Sequence, residues 1–461
     1  MTIFGLAETR VRRLVKDVSA TDDLEDDDVA DRFARAAWSV IAEPGDGTAG
    51  ALVAERGAAE ALRLVLATQG RADAPVPETA VGRTEAAATP TVGSVAAAAQ
   101  ASAPDVFAPE DADPGRGSVQ EEARAALGPG RSGEVSAGIQ RWRPRLRSSD
   151  VERALQLAAR VGATQLVPGG SHPEPVPWPN GVDDLGVHAP IMLWMRGRPG
   201  RLSPDATSVA LVGARAATGY GEHVAGELSA GLVELGFPIV SGAAYGIDGM
   251  AHRVALASGG LTLAFLAGGV DRFYPAGHDE LLRRIAEHGL VLSEVPCGAA
   301  PTKWRFLQRN RLIAACSAAT VVVEAGARSG SLNTAGHASA LGRPLGAVPG
   351  PVTSPASAGC HRLLREYDAV CVTNAADVAE LIAPSATRSR EVDSAPGALR
   401  DNADTVRVLD ALATRSSRTP SDIAARSGLA LGSVLGVLGS LEIEGRARQD
   451  AAGWRALPRS R

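Results

Sequence analysis

From Ser208 to Val372 the chain alternates short, almost wholly apolar runs with amphipathic stretches of helical period. The apolar runs fall at 209–212, 238–240, 261–266, 290–292, 319–323, 345–348 and 369–372. A strand covered on both faces reads as an unbroken apolar run, because neither side meets water. Parallel neighbours need a crossover of a dozen or more residues, usually a helix. The intervening stretches supply these, with helices starting near Tyr220, Asp248, His278, Lys303, Ser331 and Cys360. Two short strands, 165–167 and 191–194, precede the regular part, with a helix at 151–161.

This pattern predicts an α/β fold: a Rossmann-like, doubly wound parallel sheet over about 139–385. Residues 1–70 read as an N-terminal helical region, with helical spacing at 29–41 and 49–67. Residues 71–138 are rich in Ala, Pro, Gly and Ser and poor in large apolar side chains, so a disordered insert is expected. A polar linker at 386–401 leads to a unit at 402–461. That unit reads as a helix at 405–412, a second opened by Thr419-Pro-Ser-Asp and closed by Gly428, a third at 430–442, and an alternating hairpin at 445–457. The order is that of a C-terminal winged helix.

Several function classes are excluded as expectations. The net charge of −5 argues against coating nucleic acid by bulk charge, so any such site must be a local cluster of Arg and Lys. No run of eighteen apolar residues and no secretory leader pattern occur, so no membrane contact and a cytoplasmic location are expected. The four cysteines (297, 316, 360, 371) show no CxxC spacing, and the eight His do not join them at zinc spacing. Neither disulfides nor a metal nor another cofactor is expected.

In open α/β sheets ligands sit beyond the carboxyl ends of the strands, against helix N-termini that favour anions. The first run ends Val212-Gly213-Ala214-Arg215: a glycine for close backbone approach and a guanidinium for phosphate. The second ends Val240-Ser241-Gly242, without the acid that a dinucleotide ribose would need. Asp248 and His252, four residues apart, suit a capping Asp with a paired His better than a catalytic pair. The stretch Lys303-Trp-Arg-Phe306-Leu-Gln-Arg309-Asn310-Arg311 puts four cations in nine residues, with Lys303, Phe306 and Asn310 on one helix side. Cations beside an aromatic suit single-stranded nucleic acid: charge meets phosphate while the ring stacks on any base. The loop Ser329-Gly330-Ser331 opens another helix and offers an anion nest. The DNA-contacting set predicted here is Gly213, Arg215, Ser241, Gly242, Lys303, Phe306, Arg309, Asn310, Arg311, Ser329, Gly330 and Ser331, with no catalytic residue.

Taken together the motifs resemble the DprA/Smf family. The stretches that carry the resemblance are Val209 to Arg215 with Tyr220-Gly221, Ser241-Gly-Ala-Ala-Tyr-Gly-Ile-Asp248 with His252, and Gly268 to Tyr274-Pro275. They continue with Leu292-Ser-Glu294, Phe306 to Ile313, Val322-Val-Glu-Ala325 with Ser329-Gly-Ser-Leu332, and Ala347-Val-Pro-Gly350. Departures are Ala214 where the family usually has Ser, Leu307 where it has Pro, and Ala243 where it has Leu. The resemblance implies binding of single-stranded DNA without strong sequence preference. It also implies transfer of that DNA to the RecA recombinase past single-strand binding protein, in transformation or recombination, and self-association as a homodimer. An alternative is a nucleotide phosphoribohydrolase of the lysine-decarboxylase-like group, but the loop from Glu324 to Thr334 lacks that group's glutamate. A transcriptional regulator is a third reading, weakened by a presumed reading helix, 430–442, without Arg or Lys.

Overall fold

Val209–Val212 is four apolar residues in a row, and all four are buried. They form a central strand of the computed structural model, which describes residues 2–21, 24–68, 132–169, 177–197, 206–382, 403–414 and 416–457. The expected insert lies outside these residues except at 132–138, which begin a helix, Ser132–Trp142. The expected linker at 386–401 also lies outside them.

A small antiparallel ribbon, β1 (Thr2–Ile3) with β2 (Leu6–Ala7), precedes the first helix. The main sheet has nine strands: β3 (Thr164–Leu166), β4 (Leu193–Gly197), β5 (Val209–Val212), β6 (Ile239–Ser241), β7 (Thr262–Phe265), β8 (Leu290–Ser293), β9 (Ala319–Val322), β10 (Leu345–Ala347) and β11 (Val370–Cys371). Their order is β11-β10-β9-β5-β6-β7-β8-β4-β3. Strands β5 to β11 pair in parallel, as the apolar runs require. The sheet is mixed rather than wholly parallel, because β4 runs antiparallel to β8 and β3 antiparallel to β4. From β5 the chain winds one way through β6, β7 and β8, then returns to β9 on β5's other side. The carboxyl ends of β5 and β9, where Val212 faces Val322, are therefore the switch point at which such sheets place ligands.

The N-terminal helices are not a separate layer. Glu8–Lys16, Asp26–Ile41, Gly47–Arg56 and Ala58–Ala67 share one core with the β4 side of the sheet, joining Phe33 and Trp38 to Trp142, Trp194 and Ile285. Trp38 and Trp142 meet edge to face at 5.1 Å, and each indole N–H is satisfied, by the Ala58 carbonyl and the Asp46 carboxylate respectively. Amphipathic helices must cover their apolar stripe against something, and here the sheet provides it. The boundary expected at residue 139 is accordingly not a physical one: residues 1–384 make one compact unit.

The second unit, 385–461, has its own core of Val408, Ile423, Val434, Leu438, Leu441 and Trp454. Thr419 caps Pro420–Ser427, and Gly428 ends that helix in the left-handed conformation at φ 67°. Leu431–Ile443 follows, then the hairpin β12 (Ala447–Asp450) with β13 (Gly453–Ala456). This is the expected winged helix.

Candidate nucleic-acid interface

Two loops meet at the switch point, and Glu324 ties them together. Its backbone carbonyl accepts the Ala214 N–H at 2.7 Å, and its buried carboxylate accepts the Thr218 N–H at 2.8 Å and hydroxyl at 2.7 Å. Thr218 in turn caps the helix Gly219–Glu234 by accepting the Gly221 N–H. Only glycine fits at 213, where a Cβ would lie 2.5 Å from the Ile247 side chain and 2.8 Å from the Glu324 carbonyl. Gly246 is equally constrained: its φ is +73° and a Cβ would lie 2.2 Å from the Ala214 carbonyl.

Between these loops and the helix Lys303–Ala315 lies a cleft of about 730 Å³. Two buried ionisable residues, Arg309 and Asp248, lie at its floor. Arg309, 6% exposed, donates to the carbonyls of Gly242 at 2.7 Å and Phe265 at 2.5 Å, and to Asn310 Oδ1 at 3.2 Å. Burial pushes its guanidinium down to about 10, opposed by the neighbouring Asp248, so it stays charged at neutral pH. Burial raises the Asp248 carboxyl, while Arg309 and the backbone N–H groups of Ala244, Gly242 and Gly213 pull the other way.

The rim is cationic and aromatic. Arg215, Lys303 and Arg328 are exposed, and among the described residues none of them pairs with a carboxylate. The Arg215 guanidinium sits 4.9 Å from the Phe306 ring centroid, and Tyr274, 46% exposed, meets the same ring at 5.6 Å. Across the cleft the hydroxyls of Ser329 and Ser331 bond at 2.8 Å, and Asn310 donates to Asn333 at 3.1 Å. Asp248 is the one carboxylate lining this cleft among the described residues.

Of the residues expected to contact DNA, Gly213, Arg215, Lys303, Phe306, Asn310, Ser329, Gly330 and Ser331 line the cleft together, with Arg309 beneath them. Three do not reach it. Ser241 is fully buried and donates to the Leu211 carbonyl at 2.6 Å, knitting β6 to β5. Gly242 is buried under the Arg309 guanidinium, which a Cβ there would approach to 2.5 Å. Arg311, 3% exposed, pairs with Glu294 at 2.7 Å and donates to the His188 carbonyl at 3.0 Å. Arg305 of the same run donates to both Glu43 carboxylate oxygens, from Nε and Nη2, at 3.0 Å each. The four-cation run therefore puts a single free cation, Lys303, at the rim.

Asp248 and His252 do not pair. Asp248 lies in the first turn of Ile247–Ala257, behind the N-cap Gly246. His252 Nδ1 meets the Thr262 hydroxyl at 2.7 Å. Tyr274 and Arg328 complete the rim and were missed as site residues; the signal for Arg328 was its place in the loop after β9. Among the described residues no cluster of His, Cys, Asp or Glu could hold a metal ion, and no single helix is long and apolar enough to cross a membrane.

Residues 173–383 match the family model for DNA recombination-mediator protein A, and 392–453 match the DprA winged helix domain. A Mycobacterium tuberculosis protein described as DNA processing protein DprA is 52% identical over 273 residues, 59% of this chain and 69% of that protein. This chain belongs to the DprA family. DprA of Streptococcus pneumoniae is 41% identical over 190 residues, 41% of this chain and 66% of that one. The X-ray structure of the Streptococcus pneumoniae protein aligns over 57% of this chain and 84% of its own, with 32% identity and a TM-score of 0.47. The DprA match takes in β4 to β11 and the whole rim of the cleft, while the N-terminal helices lie outside both matched stretches.

Proposed function

We propose that this chain holds single-stranded DNA in the cleft at the switch point, without strong sequence preference. The observation that carries this is the rim: three cations free of carboxylates, Arg215, Lys303 and Arg328, around the aromatic pair Tyr274 and Phe306. Phosphates take the cations, and an unpaired base stacks on a ring whatever its identity. Bases in a duplex are already stacked and cannot reach a ring on a cleft wall, so duplex is the poorer ligand. Arg309, held by the Gly242 and Phe265 carbonyls, fixes the floor beneath the rim.

On the family resemblance, the bound strand is passed to RecA past single-strand binding protein, in the cytoplasm, by a homodimer that catalyses no bond chemistry itself. Competition binding tests the core of the proposal. The protein should hold a mixed-sequence single strand more tightly than the same sequence as duplex, and equal or tighter duplex binding sinks the reading. Incubation with adenosine monophosphate should release no free base; release would favour the phosphoribohydrolase alternative.

A further inference from the structure

The first turn of Lys303–Ala315 is a ridge between two clefts. Lys303, Phe306 and Leu307 line the one described above. Trp304, 55% exposed, lines the other, a cleft of about 930 Å³ walled by the start of Gly47–Arg56 and by Ser132–Trp142. Aromatics make up only 4% of the chain, and the other large indoles of this region, Trp38, Trp142 and Trp194, are buried. An exposed tryptophan whose N–H has no partner among the described residues is the type of side chain that binding surfaces use.

The far wall runs into a basic segment. The chain leaves Ser132–Trp142 as Arg141-Trp-Arg143-Pro-Arg145-Leu-Arg147, four arginines at alternate positions. Arg143 and Arg147 are exposed and have no acidic partner among the described residues. The acids of this cleft are Glu43, Asp46 and Glu134. Glu43 is shared by Arg145, at 2.6 Å, and Arg305, at 3.0 Å, and these two outweigh burial in holding its carboxyl below the usual range. Asp46 accepts the N–H groups of Thr48 and Ala49 and the Trp142 indole, with Arg141 at 3.3 Å. Of this segment Arg141 and Arg145 line the cleft; counted with Arg143 and Arg147, which flank them in sequence, and with Arg305 on Glu43, five arginines stand against three acids, two of which, Glu43 and Asp46, are already paired.

Resting on the single-strand reading above, we propose that this cleft is a second stretch of the DNA track. The strand crosses the ridge, a base stacks on Trp304, and the following phosphates meet Arg141 and Arg143. The ridge is one helix wide, about 10 Å, which about three nucleotides span at stacked spacing. The two clefts share this helix, so a strand held by Lys303 and Phe306 on one side has Trp304 as its next aromatic surface. The N-terminal helices thereby gain a role in binding, through a wall that the matched DprA stretch does not include.

The test compares the full chain with Trp304→Ala and with Arg141→Ala/Arg143→Ala on labelled oligothymidylates of about 4 and about 16 nucleotides, the range single-strand modules cover. Both variants should lose about tenfold in affinity for the long oligonucleotide, the size of one lost base stack, and keep wild-type affinity for the short one. The arginine variant should also lower the salt slope on the long oligonucleotide alone, by about 0.7 per lost contact. In Trp304→Phe the quenching of tryptophan fluorescence by the long oligonucleotide should fall. Unchanged long-oligonucleotide affinity in every variant overturns the second stretch and leaves this cleft to a protein partner. Equal losses on both lengths overturn it too, by placing Trp304 in the first cleft. Wild-type protein that binds neither length sinks the single-strand reading itself. Unchanged melting temperatures establish that the variants fold.

Discussion

The Arg215 guanidinium stands over the Phe306 ring, 4.9 Å from its centroid, joining the loop after β5 to the helix Lys303–Ala315 across the cleft. A cation over an exposed ring contributes about 0.5–1 kcal/mol, so the contact positions both groups without locking them. Arg309 lies 5.8 Å from the same centroid, so two guanidinium groups stand at the Phe306 ring. A base arriving at this ring finds its phosphates' counter-charge already in place.

Arg215→Ala and Lys303→Ala should each weaken single-strand binding. Each should also lower the slope of log K against log salt by about 0.7, the counterions released by one phosphate contact. Titrations at several salt concentrations read both quantities. Affinity that falls with the slope unchanged would assign these residues a structural role.

Phe306→Ala should cost binding and spare the fold. The ring is only partly buried, and a stacked base is worth about 1–3 kcal/mol. Truncating a core phenylalanine would instead remove about 3–5 kcal/mol of stability. Thermal melting beside a binding titration separates the two, and a large drop in melting temperature would return Phe306 to the core.

Arg311→Ala should do the reverse. Its partner Glu294 is 13% exposed, and removing one member of such a pair leaves a charge without compensation, costing about 3–5 kcal/mol. Chemical denaturation should show that loss, while the salt slope of binding in the folded variant stays at the wild-type value. A changed slope with unchanged stability would put Arg311 on DNA after all.

Acid should destabilise the domain through His252. Burial, with His278, Arg309 and Arg253 nearby, lowers its pKa from 6.5 to about 3, and its Nε2 has no hydrogen-bond partner among the described residues. Between these values the unfolded chain binds a proton that the folded chain refuses. Stability from this residue is therefore complete above pH 6.5 and is lost as the pH falls towards 3, by at most about 1.4 kcal/mol per unit. Denaturation midpoints measured across that window should flatten in His252→Gln; an unchanged pH dependence would assign the acid sensitivity to other groups.

What the sequence made legible follows from what local pattern encodes. Unbroken apolar runs such as Val209–Val212 announce strands buried on both faces, and a glycine followed by Arg215 after the first of them announces an anion site at a strand end. Partner identity is not local. Lys303, Arg305, Arg309 and Arg311 look alike in a row, yet Arg305 is claimed by Glu43 from the N-terminal helices and Arg311 by Glu294 from beyond β8. Ser241 looked like a hydroxyl offered to phosphate because a strand end is where such hydroxyls sit, but its neighbour β5 took the bond. The helical period of Asp26–Ile41 was readable; that its Trp38 packs on Trp142, across the unpatterned 71–138 stretch, was not.

The central claim places the strand against Phe306 and Tyr274. Photocrosslinking of the full chain to a single strand carrying 4-thiothymidine, followed by peptide mapping, tests it most directly. The account predicts adducts in the peptides that hold Tyr274 and Phe306, lost on competition with unlabelled single strand and retained with duplex. Adducts confined to the winged helix, 403–457, would contradict it and move the DNA site off the sheet.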